Sequence, residues 1–175
     1  MKNKKKYLVV YNICGISGKD NSDYYVSALK TIRDQEYQDY KLAISACQNP
    51  AYQLDKIKDN CNVDFINSIE DTLPVNITFN DTVRECIAEY GEFDAYLYLD
   101  SGVKFTEVDQ LGNLIELYES GNYGMVSAQV DNDFGWCWFG LDEYARPRLT
   151  QDLLVPVGLA CNLHCQLFSQ DIFNY

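Results

Sequence analysis

Asp100 stands at the end of an apolar segment, where a carboxylate can take part in chemistry. The segment Ala95–Leu99 reads Ala-Tyr-Leu-Tyr-Leu and predicts a buried strand, and Asp100-Ser-Gly follows it directly. Open α/β sheets bind their ligands at the carboxyl ends of their strands. A carboxylate in that place can hold a divalent cation that neutralises phosphate charge. Asp-Ser-Gly is also a favourable turn sequence, so a purely structural role for Asp100 stays open.

The loop from Gly15 to Lys19 contains two glycines and a lysine, as phosphate-binding loops do. A phosphate-binding loop needs a longer spacing between its glycines, and a Ser or Thr directly after the lysine. Here Ile16 and Ser17 alone separate the glycines, and Asp20 follows the lysine. Because an acid in that position repels phosphate, we interpret this segment as a plain turn.

The segment Cys161-Asn-Leu-His-Cys165 combines two thiols with the one histidine of the sequence, a set that can bind metal. A structural zinc site commonly uses two spaced pairs of ligands, and the sequence contains no second pair. The 7 cysteines are odd in number and scattered, which is typical of reduced thiols in a cytosolic protein. We therefore predict buried thiols and a cytoplasmic location.

Two further segments carry side chains that suit a sugar nucleotide. Phe134–Phe139 contains four aromatic rings that could stack on an acceptor sugar, although such rings more often lie in a core. Arg146 and Arg148 could bind a diphosphate, or they could neutralise the nearby Asp142 and Glu143. We favour the core for the aromatic rings and the ion pairs for the arginines.

The segments that must position these residues alternate between strand and helix periodicity. This alternation predicts an α/β fold with a mostly parallel sheet flanked by helices. We expect Asn80 or Asp81 to cap the third helix, and Gly91 and Gly121 to end the third and fourth. The predicted strands span residues 7–13, 40–47, 63–66, 95–99 and 124–130, and the predicted helices span residues 22–35, 52–59, 80–90 and 108–119.

Composition limits the class of protein. The chain has 175 residues, with 14 Lys plus Arg against 26 Asp plus Glu and a net charge of -12. A surface this acidic argues against nucleic acids and anionic membranes as partners. The apolar fraction of 47% supports a real core, and no apolar run is long enough for a transmembrane segment. We predict a single globular domain over residues 1–175.

Four passages occur in the same order as in glycosyltransferases with the GT-A fold. The strand and acid at Phe93–Phe105 resemble the Asp-X-Asp motif of that family, and Tyr7–Asn12 resembles its first strand. Leu29–Ile44 is similar to the passage from its first helix to its second strand, and Leu73–Asn80 is similar to its Asn-containing helix start. Over residues 7–130 the chain therefore resembles a family-2 type GT-A glycosyltransferase, which implies a Rossmann-like sheet.

The resemblance implies a nucleoside-diphosphate sugar as donor and a divalent metal, Mn²⁺ or Mg²⁺. Asp100 matches the first acid of the motif and is the implied metal ligand, whereas Gly102 stands where the second acid belongs. Within the segment that matches Ala43–Asn49, family members commonly place an Asp that pairs with the base, and here Ser45 or Asn49 could hydrogen-bond the base instead. The implied donor-binding positions are Tyr11, Asn12, Ser45, Asn80 and Asp100.

The predicted function is sugar transfer from such a donor to an acceptor that the sequence does not identify. The resemblance implies a donor-binding half at residues 7–105 and the start of an acceptor half at residues 106–175. The catalytic base has no motif, and Asp152, Asp171 and Asp142 are candidates. Because the motif lacks its second acid, a GT-A-like binding or assembly module without catalysis is the alternative. A nucleotidyltransferase-like enzyme is a third reading.

Overall fold

In the computed structural model, the chain forms a six-stranded sheet flanked by helices. The structure describes residues 5–15, 19–121, 124–127 and 165–173. The strands are β1 Tyr7–Cys14, β2 Tyr40–Cys47, β3 Phe65–Ile69, β4 Ala95–Leu99, β5 Met125–Ser127 and β6 Cys165–Ser169. The helices are α1 Ser22–Arg33, α2 Ala51–Asn60, α3 Val75–Tyr90, α4 Gln110–Ser120 and α5 Gln170–Phe173. No helix in these ranges is long and apolar enough to cross a membrane.

The strand order is β3-β2-β1-β4-β6-β5, and the first four strands in this order are parallel. β1 pairs with β2 and β4, and β2 pairs with β3. β6 runs antiparallel to both β4 and β5. The predicted α/β fold with a mostly parallel sheet is therefore confirmed. The sequence does not predict β6, because five residues with buried Cys165 and Leu167 are too short an alternation to stand out.

Apolar side chains cover both faces of the sheet. Tyr7, Val9 and Tyr11 of β1 belong to the cluster that includes buried residues of α1, α2 and α4. Leu8 and Val10 lie on the other face, in the cluster that includes residues of α3. Burial on both faces explains why β1 is a continuous apolar run rather than an alternation of apolar and polar residues.

The third helix begins earlier than the sequence predicts. We expect its start at Asn80 or Asp81, but α3 begins at Val75, directly after Pro74. The carbonyl oxygen of Pro74 accepts a hydrogen bond from the N–H of Ile77 at 2.9 Å. Proline has a fixed φ and no N–H, so it suits the place where a helix starts. The predicted cap at Asn80 is therefore wrong, because this residue lies in the second turn.

Smaller shifts occur at other boundaries. β3 begins at Phe65 rather than at residue 63, and just before the strand the N–H of Asp64 donates to the carbonyl oxygen of Leu42 at 2.9 Å. Gly91 ends α3 with a φ of 78°, as the sequence predicts. Gly121 also follows its helix, but with an extended φ of -132°.

Gln35 joins α1 to the segment that leads into α4. Its side chain is 2% exposed. The Nε2 atom donates to the carbonyl oxygens of Thr31 (3.1 Å) and Glu107 (2.7 Å), and the Oε1 atom accepts from the N–H of Leu111 (2.9 Å). Both donors and the acceptor of the amide are therefore used, and the glutamine within Leu29–Ile44 has a structural role.

Asp64 joins three elements at the amino edge of the sheet, the edge at which the parallel strands begin. Its carboxylate accepts from the N–H of Leu42 (2.8 Å) and forms ion pairs with Arg33 (2.7 Å) and Lys41 (2.8 Å). Burial alone would raise the pKa of this carboxyl group. The backbone N–H and the two cations outweigh burial, so the pKa of Asp64 lies below its ordinary value.

Asp64→Asn is expected to lower the free energy of unfolding by about 2–3 kcal/mol at pH 7, because a partly buried, charge-assisted network is lost. The folded pKa lies below the unfolded pKa. The stabilisation is therefore present above about pH 4 and is lost as the pH falls through the folded pKa. Urea unfolding from neutral to acid pH measures this, and the stabilities of the two proteins should converge in acid.

Asp23→Asn is the matched control for this prediction. Asp23 forms an ion pair with Lys56 at 2.9 Å, but its side chain is 92% exposed. Exposed pairs contribute about 0–1 kcal/mol, so this variant should unfold nearly as wild type does. A difference between wild type and Asp64→Asn that stays constant over the whole pH range would contradict the prediction.

Candidate functional site

Polar side chains form a row along the carboxyl edge of the sheet, where the parallel strands end. The register places Asn12 of β1 opposite Ser45 of β2, and Ser45 opposite Asn67 of β3. Val10 lies two positions before Asn12, and Ala43 lies two positions before Ser45. Both belong to the apolar cluster that includes residues of α3. Because side chains alternate along a strand, the three polar residues lie on this same face.

Asp100 continues this row beyond the end of β4. It directly follows Leu99, whose partner in β1 is Tyr11, so Asp100 lies level with Asn12. Its carboxylate is the one acid of the row. We call the set Asn67, Ser45, Asn12 and Asp100 the edge row.

Two members of the edge row are buried, and each has a side-chain atom without a hydrogen-bond partner. Asn12 is 3% exposed and Ser45 is 1% exposed. Among the described residues, Asn12 Nδ2 and Ser45 Oγ have no hydrogen-bond partner, and the same holds for Oδ1 of the neighbouring Asn49. Asn67 Nδ2, in contrast, donates to Thr82 Oγ1 at 3.3 Å. A buried polar atom without a partner costs about 1–3 kcal/mol, so such atoms are typical of a ligand or water site.

Hydrogen bonds fix the loop that carries Asp100. The Oδ1 atom of Asp100 accepts from the N–H of Ser101 at 2.8 Å. The hydroxyl of Tyr11 donates to the carbonyl oxygen of Ser101 (2.6 Å), and the hydroxyl of Tyr24 donates to that of Gly102 (2.9 Å). Tyr11 of β1 and Tyr24 of α1 therefore both hold the loop.

Two tyrosines beside Asp100 stay protonated at neutral pH. Burial, with a smaller contribution from the Asp100 carboxylate, raises the pKa of Tyr98 to about 12, although Asn12 slightly opposes the shift. Burial, followed by neighbouring tyrosines and Asp100, also holds the pKa of Tyr11 well above its ordinary value. Tyr11 is 0% exposed, so its ring presents no surface to solvent and its hydroxyl positions the loop.

Gly15 brings the end of β1 against the end of β2. Its N–H donates to the carbonyl oxygen of Cys47 at 2.9 Å, and a Cβ atom on Gly15 would lie 2.1 Å from the carbonyl oxygen of Gln48. Gln48 has a φ of 54°, and its N–H donates to the carbonyl oxygen of Ile69 at 2.8 Å. The ends of β1, β2 and β3 are therefore held together, which keeps the edge row in place.

Asp20 caps α1. Its Oδ1 atom accepts hydrogen bonds from the N–H (2.9 Å) and the hydroxyl (2.6 Å) of Ser22. Both bonds lower the pKa of Asp20, and the bond from the hydroxyl has the larger effect. The side chain of Asn21, the residue directly before α1, forms no such bond. An acid used in this way agrees with the conclusion that Gly15–Lys19 is not a phosphate-binding loop. Residues 16–18 lie outside the described part of the chain.

Gly15→Ala is expected to lower the free energy of unfolding by about 1–3 kcal/mol, because the new methyl group would overlap a backbone carbonyl that cannot rotate away. Gly102→Ala is the control, since a Cβ atom there has no other atom within 4 Å. Thermal or urea unfolding of both variants measures the difference. If the two alanine variants were equally stable, the close approach at Gly15 would have no energetic importance.

Comparison with solved structures supplies the fold family. The mannosyltransferase PcManGT from Pyrobaculum calidifontis, in complex with GDP-Man and Mn²⁺, matches with a TM-score of 0.65 and 10% identity, over 99% of this chain and 47% of its own. A cytidylyltransferase from Leptospira borgpetersenii matches with a TM-score of 0.58 and 10% identity, over 98% and 63%. The galactosyltransferase LgtC, in complex with donor and acceptor sugar analogues, matches with a TM-score of 0.54 and 16% identity, over 93% and 57%. The chain has the GT-A fold.

The likeness at these identities concerns the GT-A fold and leaves the activity open. The chain spans 47%, 63% and 57% of the lengths of the three proteins it matches. No protein-family model matches the chain, and no curated protein matches it.

Asp171 lies at the opposite edge of the GT-A sheet from Asp100. β6 is antiparallel to β4, so its last residue, Ser169, pairs with Ala95 at the start of β4. α5, which contains Asp171, therefore begins at the amino edge. The length of β4, about 15 Å, separates it from the edge row. The role of Asp171 as catalytic base stays a prediction, and this position places it apart from the edge row.

The other predicted positions divide into three groups. The structure brings together Asn12, Ser45 and Asp100. Asn80 lies in the second turn of α3, about 7 Å along the helix axis from its first residue. Outside the described residues lie Asp152, Asp142, residues 134–139, Arg146, Arg148, Cys161 and His164.

Sequence reasoning missed three residues near this site, Asn67, Tyr24 and Lys104. Asn67 belongs to the part of β3 that the predicted strand does not include. Lys104 lies on the loop after Asp100, and its Nζ atom is 3.0 Å from the hydroxyl of Ser27, which is 77 positions away in the chain. A contact over such a sequence distance leaves no signal in a local pattern.

The described residues can supply only a few protein ligands to a metal ion. No group of three or more His, Cys, Asp or Glu side chains that could hold a metal occurs among them. Mg²⁺ sites often use one or two carboxylates together with substrate phosphates. The edge row therefore fits a metal that a bound diphosphate also coordinates, with Asp100 as the protein ligand, and does not fit a cage of protein ligands alone.

A polar surface cleft of about 430 Å³ lies apart from the edge row. It is formed by residues 58–63, from Lys58 in the last turn of α2 to Val63. Because α2 follows the carboxyl end of β2 and returns toward the start of β3, this cleft lies toward the amino edge. Substitutions in this cleft can therefore serve as controls for substitutions near the edge row.

Proposed function

We propose that the chain is the donor-binding part of a glycosyltransferase, which transfers a sugar from a nucleoside-diphosphate sugar to an acceptor still to be identified. The edge row supports this most strongly. It places one carboxylate level with two buried polar side chains, each with one atom that lacks a partner, at the sheet edge where α/β proteins bind ligands. The GT-A fold is consistent with it, since PcManGT with this fold was solved with GDP-Man and Mn²⁺.

The members of the edge row would divide the donor between them. Asn12 Nδ2 is a donor and the Ser45 hydroxyl both donates and accepts, so together they can bind polar atoms of the nucleoside. Asn49 Oδ1 would add an acceptor. Asp100 would bind Mn²⁺ or Mg²⁺ beside the diphosphate. A divalent metal, when bound, neutralises charge that develops on the leaving diphosphate.

The residues later in the chain would bind the acceptor. We assign residues 7–105 to donor binding and residues 106–175 to the beginning of the acceptor half, within one domain over residues 1–175. In an inverting transfer, a carboxylate takes the proton of the acceptor hydroxyl while that oxygen bonds to the anomeric carbon and the nucleoside diphosphate leaves. Asp152, Asp171 and Asp142 remain the candidates for this base.

Nucleotide binding tests the proposal most directly. Thermal unfolding should be followed with UDP, GDP and CDP, each with and without Mn²⁺. We expect at least one nucleotide to raise the melting temperature, and to raise it more with Mn²⁺, because binding to the folded state alone stabilises it. Mn²⁺ without nucleotide should have little effect. The proposal fails if none of the three causes a shift under either condition.

A binding or assembly module without catalysis is the second candidate. Gly102 in place of the second acid favours it, since a single carboxylate holds a metal weakly. Incubation with a panel of sugar nucleotides separates the two candidates. Transfer or hydrolysis would exclude the binding module, whereas nucleotide binding without turnover would support it. Pyrophosphate release from a nucleoside triphosphate would instead indicate a nucleotidyltransferase.

A further inference from the structure

Lys104 lies on the same loop as Asp100, and its ammonium group is held in place. The Nζ atom is 4.2 Å from the centroid of the Tyr24 ring and 3.0 Å from Ser27 Oγ. The hydroxyl of the same tyrosine donates to the carbonyl oxygen of Gly102 at 2.9 Å. One side chain of α1 therefore holds both the ammonium group and the backbone two residues after Asp100.

The contacts of Lys104 leave its positive charge without a compensating carboxylate. Arg33 and Lys41 form ion pairs with Asp64, and Lys56 forms one with Asp23. In the described part of the chain, Lys104 forms no ion pair, and its contacts are a neutral ring and a hydroxyl group. In a protein with a net charge of -12, an uncompensated cation on the loop that carries Asp100 can attract an anionic ligand.

We propose that Lys104 is a further binding residue for the diphosphate of the donor. This inference rests on the proposed function. A divalent metal held by Asp100 would leave part of the diphosphate charge unneutralised, because the carboxylate itself offsets one of the two positive charges of the metal. A lysine ammonium is a compact charge that suits a phosphate oxygen. The contact with Tyr24 orders the side chain before the ligand binds, which lowers the entropy cost of binding.

Lys104→Met removes the charge and keeps the aliphatic stem. Its affinity should be compared with that of wild type by calorimetry, in Mn²⁺, for the best-binding of UDP, GDP and CDP and for the corresponding monophosphate and nucleoside. We expect the dissociation constant to rise about tenfold for the diphosphate, less for the monophosphate and not at all for the nucleoside. Lys104→Arg should retain most of the affinity. Lys58→Met, at the cleft toward the amino edge, is the control and should bind as wild type does.

A pair of substitutions at Tyr24 tests how Lys104 is held. Tyr24→Phe keeps the ring under the ammonium group and loses the bond to Gly102, whereas Tyr24→Leu loses both. We expect Tyr24→Leu to weaken diphosphate binding more than Tyr24→Phe does.

The possible outcomes separate this inference from the proposed function. If wild type binds no nucleotide, the proposed function fails and this inference fails with it. If wild type binds and Lys104→Met binds the diphosphate equally well, the inference alone is overturned. Equal losses for diphosphate, monophosphate and nucleoside would also overturn it, because Lys104 would then act through the structure of the loop.

Discussion

Asp100→Asn is expected to weaken the binding of a nucleoside diphosphate in the presence of Mn²⁺ about 10- to 100-fold, the effect of losing a charged partner. Asparagine keeps an Oδ1 atom that can accept the N–H of Ser101, so the loop should retain its conformation. The loss should be much smaller without Mn²⁺, because the role we propose for the carboxylate is to bind the metal. Calorimetric titration of both proteins, with and without Mn²⁺, measures the effect.

Asp94→Asn is the matched control, because Asp94 precedes β4 at the amino edge, where its Oδ2 atom accepts from the N–H of Lys6 at 2.7 Å. The reverse experiment is Gly102→Asp, which restores two acids with one residue between them. A Cβ atom at Gly102 has no other atom within 4 Å, so the new side chain should fit. We expect Gly102→Asp to increase the Mn²⁺-dependent part of the affinity. If Asp100→Asn bound the nucleotide as tightly as wild type does in Mn²⁺, Asp100 would not be part of the site.

Gln35→Met is expected to lower the free energy of unfolding by about 3 kcal/mol. Methionine has a similar shape but no hydrogen-bonding groups of the amide, so the carbonyl groups of Thr31 and Glu107 lose their donor and the N–H of Leu111 loses its acceptor. Each buried group left without a partner costs about 1–3 kcal/mol, and relaxation recovers part of the total. Urea unfolding at neutral pH measures the loss.

Gln35→Glu adds a dependence on pH to the same experiment. Its carboxylate could still accept from Leu111 but would face two carbonyl oxygens, so burial and repulsion should raise its folded pKa above the unfolded value. A raised folded pKa means that stability is retained at acid pH and lost as the pH rises. Gln38→Glu is the control, because Gln38 is exposed and also donates to a carbonyl oxygen, that of Arg33 at 2.8 Å. If Gln35→Glu and Gln38→Glu lowered the free energy of unfolding by the same small amount, the prediction would be contradicted.

The strands that form the edge row could be predicted because their apolar runs end at polar residues. β2 and β4 begin and end as the sequence predicts, and β1 extends one residue further, to Cys14. Parallel order then follows from the helices between them, and it brings Asn12, Ser45 and Asp100 to one edge. This part of the site depends on local patterns and on topology, and both are visible in a sequence.

The rest of the site depends on contacts between distant residues. Tyr24 and Lys104 are in contact although they lie 80 positions apart in the sequence. The local sequence around one of them therefore does not indicate the other. Asn80 resembles a helix cap, but the rigid Pro74 upstream starts the helix first. Asp171 is an acid near the end of the chain, and only the antiparallel course of β6 shows that it lies away from Asp100.

The strand order also has a consequence for folding during synthesis. β1, β2, β3 and β4 all precede residue 100, so the four-stranded parallel sheet and the edge row can assemble while later residues are still in the ribosome. β6 pairs with β4 and begins only at Cys165. Until it is available, one edge of the apolar strand Ala95–Leu99 has no partner strand. Such an open edge can pair with other chains, so β4 is exposed to this pairing until translation reaches β6.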